Sequence, residues 1–125
     1  MEIEGVVSLW GGNFNSIIEL ENYVSLGYTA DGDQIYSKFA NEFDFGHTDD
    51  DSIEYEFYKE QLVSIEVLLK SVSYSEIISD RFKNLLGKNK FDKPVNAIVL
   101  LYDYKHEEDI ISSDNVKYIG CVSYL

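Results

Sequence analysis

Ser52-Ile53-Glu54-Tyr55-Glu56-Phe57-Tyr58 alternates along its length, with Ile53, Tyr55 and Phe57 on one face and Glu54, Glu56 and Tyr58 on the other. A period of two belongs to a strand with one face against a core and one toward solvent. Downstream, Ile65, Leu68 and Leu69 return to helical spacing, and Ser73 with Glu76 forms a capping box ahead of Ile77, Ile78, Phe82, Leu85 and Leu86, with Gly87 as the stop. Two helices, or one interrupted helix, therefore fill 64 to 87. Val95 to Tyr104 and Val116 to Tyr124 read as strands, joined by the polar loop His106 to Asp114.

Upstream, Gly5 to Trp10 is a short apolar strand ended by Gly11-Gly12-Asn13. Ser16 and Glu19 form a capping box for a helix carrying Ile17, Leu20 and Val24. Asp31-Gly32-Asp33 makes a turn and a possible N-cap for a second helix, with Ile35, Phe39 and Phe43 recurring every fourth residue. The order of elements predicts an α+β domain with a mixed or antiparallel sheet of about four strands and helices packed mainly on one side.

The chain has 125 residues, 45% of them hydrophobic, which fits one domain spanning 1–125 with one core. A single cysteine, Cys121, leaves no disulfide framework and fits a reducing cytoplasm. No apolar run approaches the roughly 18 residues that a membrane span needs, and Met1-Glu2-Ile3-Glu4 lacks the basic start of a secretory signal. Net charge is −13, which repels phosphate backbones and anionic lipid and attracts basic surfaces. Nucleic acid and membrane are thus poor partners. Residues 31 to 60 hold ten acids against Lys38 and Lys59, a local −8, whereas 81 to 105 reverse the sign.

Residues in the pattern of a reactive site are few. His47-Thr48-Asp49-Asp50-Asp51 sets an imidazole beside three carboxylates, the residue types of a metal site in a small metal-dependent hydrolase. Further imidazole or thiolate ligands are missing nearby, and a solvated acidic loop is the better reading of the run. Calcium fails because EF-hand spacing is absent. Cys121 would be a nucleophile if His47 or His106 approached it, but a cysteine between Gly120 and Val122 reads as core. The glycines at 11 and 12 complete no nucleotide-binding motif. No cofactor, small-molecule substrate or catalytic residue is indicated. What remains is an acidic surface interleaved with aromatics, the combination that protein interfaces use, or alternatively an acidic scaffold that self-associates.

Val7-Ser8-Leu9-Trp10-Gly11-Gly12-Asn13-Phe14 resembles the W-x-G-N-F start of the bacterial immunity protein 22 family. The resemblance continues in Tyr28-Thr29-Ala30-Asp31-Gly32-Asp33, in Asp49-Asp50-Asp51 followed by Glu54, and in Tyr118-Ile119-Gly120-Cys121-Val122-Ser123-Tyr124. It implies a cytoplasmic, non-enzymatic antitoxin that binds the C-terminal domain of a cognate polymorphic toxin, often a nuclease with a basic groove. The acidic surface then supplies the toxin-binding residues, expected at Asp31, Asp33, Asp49, Asp50, Asp51, Glu54, Glu56 and Tyr58. Trp10, Gly12, Asn13 and Phe14, at a strand–turn–helix junction, read as maintaining the fold.

Overall fold

A computed structural model describes residues 1–46, 49–106, 110–113 and 115–125, the side chain of Asp50 excepted. Its centre is an antiparallel sheet built from β1 (Glu2–Gly12), β4 (Ile53–Ser64), β5 (Lys90–Tyr104), β6 (Ser112–Ser113) and β7 (Val116–Ser123), in the order β4-β5-β1-β7-β6. Leu9 lies opposite Leu100, Tyr55 opposite Val99, and Ser8 opposite Cys121. The class is the α+β expected, with five strands where about four were read. The extra one is β6, two serines too short to show a period.

Helices cover both faces of this sheet, not mainly one. From Ala97 to Leu101 of β5 the side chains alternate: Ala97, Val99 and Leu101 enter one core, Ile98 and Leu100 the other. A strand apolar on both sides needs cover on both. The first core is aromatic, with Trp10, Phe14, Phe39, Phe43 and Phe45 meeting α1 (Ile17–Val24) and α2 (Lys38–Glu42). The second is aliphatic, with Val7, Leu9, Ile65, Leu68 and Ile78 meeting α3 (Ile65–Leu68) and α4 (Ser75–Leu86). Helices this short are marginal alone, and what holds them is burial, worth about 1.5–3 kcal/mol for each large apolar side chain.

Serines start three of them. Ser16 Oγ accepts the Glu19 N–H at 3.2 Å, Ser37 Oγ the Ala40 N–H at 3.0 Å, and Ser64 Oγ the Val67 N–H at 3.3 Å. Two capping expectations are corrected. Asp31-Gly32-Asp33 caps no helix; it turns a ribbon of β2 (Gly27–Tyr28) and β3 (Gln34–Ile35), where the Thr29 N–H reaches the Asp33 carbonyl at 2.8 Å. Ile35 is consequently an exposed strand residue, while Phe39 and Phe43 are fully buried as read. Ser73 does not cap α4 either. Tyr74, in the left-handed conformation at φ 59°, holds that position, and Ser73 donates to Glu54 instead.

Candidate protein-binding site at the acidic end

Antiparallel pairing gathers the start of β1, the start of β4 and the ends of β5 and β7 at one end of the sheet, with Glu2 opposite Tyr104, Ile53 opposite Leu101, and Val6 opposite Ser123. Two adjoining clefts there share Tyr102. One is lined by Asp51, Glu54, Tyr74 and Tyr124, the other by Glu2, Glu4, Asp49 and Asp103. Glu2, Glu4, Asp49, Asp51 and Asp103 are exposed. The Met1 amine donates to the Lys105 carbonyl at 3.1 Å, and the Lys105 N–H returns to the Met1 carbonyl at 2.9 Å, which fastens the first residues to the end of β5.

Tyrosines organise the carboxylates. Tyr102 donates its hydroxyl to Glu54 Oε1 at 2.7 Å, and the Ser73 N–H donates to the same oxygen at 3.0 Å. Burial, then the Glu54 carboxylate, pushes the Tyr102 phenol far above its ordinary value of 10.0. Tyr124 donates to Asp103 Oδ1, which raises its phenol to about 12, and the Gly5 N–H donates to that oxygen at 2.9 Å. The rings of Tyr74 and Tyr124 lie 4.7 Å apart and those of Tyr102 and Tyr124 5.5 Å. The result is a fixed aromatic patch rimmed by exposed charge.

The structure separates the residues that the sequence grouped. Asp49, Asp51 and Glu54 come together at this end. Glu56 follows on β4, opposite Ile98 and half-buried. Tyr58 donates its hydroxyl to the Leu68 carbonyl at 2.8 Å, and burial, with the Glu56 charge, raises its pKa. Asp31 and Asp33 are exposed on the separate β2–β3 ribbon. The Asp50 side chain and His47 lie outside the described residues. Sequence reading missed Glu2, Glu4, Asp103, Tyr74, Tyr102 and Tyr124, because chain order hides a cluster that strand pairing and the turn before α4 assemble from five segments. The charged Glu2-x-Glu4 pair and the ten tyrosines were the available signals.

Chemistry elsewhere is sparse. Among the described residues no group of three or more His, Cys, Asp or Glu is placed to hold a metal ion. Burial raises the Cys121 thiol, which disfavours the thiolate a nucleophile needs. His106 is buried, its Nε2 2.8 Å from the Ile110 carbonyl and its ring 4.7 Å from that of Tyr118.

The Trp10–Phe14 motif lies at the opposite end. Asn13 Oδ1 accepts the Asn96 N–H at 3.2 Å and the Gln61 side chain at 3.0 Å, while its Nδ2 donates to the Pro94 carbonyl at 3.2 Å. Asn96 in turn bonds both Phe14 backbone groups, at 2.9 and 2.7 Å. A Cβ on Gly12 would stand 2.8 Å from the Asn115 carbonyl oxygen, so only glycine lets these backbones approach. Trp10 is fully buried, its ring 4.8 Å from Phe39.

These observations define an α+β fold with exposed acids and hydrogen-bonded tyrosines gathered at one end of its sheet. The chain belongs to the immunity protein 22 family, whose sequence pattern matches residues 7–124. No curated protein and no solved structure matches it. No helix among the described residues is long and apolar enough to cross a membrane.

Proposed function

We propose that this chain binds and neutralises the C-terminal toxin domain of a cognate polymorphic toxin in the cytoplasm of the producing cell, and that it acts as an inhibitor without catalysis of its own. The toxin domain is a nuclease, and the acidic end of the sheet occupies its basic substrate groove. One observation carries the reading: exposed Asp51 lines the cleft of Tyr74, Tyr102 and Tyr124, and exposed Glu2, Glu4 and Asp49 line the adjoining cleft that shares Tyr102. Carboxylates of this kind accelerate encounter with a basic surface, and fixed rings supply contact area at low entropic cost. Family membership supports the partner class. Asp31, Asp33 and Glu56 contribute to the long-range field, whereas Glu54 and Tyr58 act by holding the surface in shape.

A titration of the neighbouring gene's toxin domain at low and high salt tests this. Reversing Glu2, Glu4, Asp49 and Asp51 to lysine should weaken Kd about a hundredfold at low salt, roughly 2.7 kcal/mol, and flatten the salt dependence. Unaltered affinity and salt response would sink the acidic-end mechanism. Failure of the wild-type protein to bind or inhibit a folded toxin domain would sink the role itself.

A further inference from the structure

At the far end of the sheet, a groove of about 650 Å³ runs between the end of α4, the start of β5 and the start of β7. Lys88, Lys90, Lys93 and Lys117 line it, four of the ten cationic side chains in a protein of net charge −13. Asp92 is the one carboxylate among its described lining residues. It is already engaged by Lys88, and Lys88 first, then Lys117 and Lys90, hold its carboxyl below the usual range. The groove therefore keeps unspent positive charge. Beneath the lysines the floor is apolar, with Phe91 and Val95 buried, and Ile111 is 58% exposed at the rim.

Two demands follow for an occupant: several negatively charged groups for the lysines and apolar side chains for the floor. We infer that this groove docks an acidic, apolar-bearing peptide segment of a partner protein, through Lys90, Lys93 and Lys117 above Phe91 and Val95. A nucleic acid strand brings negative charge but no aliphatic side chains for the floor. A small inorganic anion fills neither the volume nor the floor. The inference rests on the chain being a protein-binding domain, but not on which surface the acidic end contacts. With both ends engaged, one partner would be held by charges of opposite sign, so like-charged surfaces would be refused at either end.

The probe is a peptide of about ten residues alternating glutamate with leucine, titrated into isotopically labelled protein and followed by amide NMR shifts. A ten-nucleotide thymidine strand and inorganic phosphate serve as comparisons. Saturable, salt-sensitive shifts at Lys90, Lys93, Ile111 and Lys117 are expected with the peptide, and K90E/K93E/K117E should weaken them at least about tenfold. The acidic-end lysine variant should bind the peptide as the wild type does. Absence of saturable shifts at the groove, or equal or larger shifts with the oligonucleotide, would overturn the inference. Circular dichroism of the triple variant separates lost binding from lost folding. Peptide binding without toxin binding would keep the groove and remove the antitoxin role; toxin binding without peptide binding would do the reverse.

Discussion

The two ends of the sheet are tied by different chemistry. At the acidic end, tyrosine hydroxyls and backbone N–H groups converge on the carboxylates of Glu54 and Asp103. At the basic end, the ties are neutral amide bonds through Asn13 and Asn96, and the lysines stand apart from them. The network at the acidic end thus runs through groups that titrate, whereas the asparagine network at the basic end does not, with the Lys88–Asp92 ion pair lying outside it. A surface that must present charge in a fixed pattern gains from having ionised groups inside its own hydrogen-bond network, because the same bonds that orient the rings also orient the acids.

Asn13→Ala strikes the neutral network hardest. It removes three side-chain bonds and leaves the Asn96 N–H without its partner, a loss of roughly 2–3 kcal/mol in urea unfolding that should be equal at pH 7 and pH 10. An effect below about 0.5 kcal/mol would mean that water replaces this network without cost. Tyr102→Phe should cost less, about 1–2 kcal/mol, since the half-buried hydroxyl bonds a charged acceptor. Combining it with Glu54→Gln should add less than the sum of the two, and full additivity would show that the pair is not coupled.

The smallest effect is the most discriminating. Tyr102 and Tyr124 have folded pKa values raised above the unfolded value near 10.0, so the protonated form favours the fold. Their contribution is complete below about pH 10 and declines as pH rises beyond it. Wild-type protein should lose stability between about pH 10 and 11, and Tyr102→Phe should lose less. Tyr118, raised to about 12 by burial, adds the same slope to both proteins. An unchanged slope in the Tyr102→Phe variant would place the alkaline sensitivity elsewhere.

How far the sequence carried this reading depended on range. The N-cap at Ser16, the strands around Val99 and Cys121, and the buried Phe39 and Phe43 are local patterns and appear where expected, although the Glu19 carboxylate bonds the Asn15 side chain and only the Ser16 half of the box forms. Failures came where a distant residue outbid the local rule. Ser73 had a good capping position, but the Glu54 carboxylate, nineteen residues away, takes both its N–H and its hydroxyl. The face of β4 bearing Glu54 and Tyr58 looked solvent-bound, yet Tyr102 and the Leu68 carbonyl give those polar groups partners and let α3 and α4 cover the sheet. For the acidic end, only Asp49, Asp51 and Glu54 were visible as a group, because Glu2, Glu4 and Asp103 join them through strand pairing alone.

Asp103 is held at φ 60°, opposite a Gly5 at φ 87°, where β1 and β5 slip out of register between Glu2 and Val7. Its carboxylate bonds the Gly5 amide, so the residue is backbone device and surface charge at once. Asparagine alone keeps both the left-handed conformation and an oxygen for that amide, at the cost of the charge. Glu2 and Glu4 carry no such duty. If partner preference drifts among relatives of this chain, the evolutionary path of least resistance runs through the first strand, where a sign can be changed in one step, while position 103 is a brake that lets the surface lose charge but not invert it.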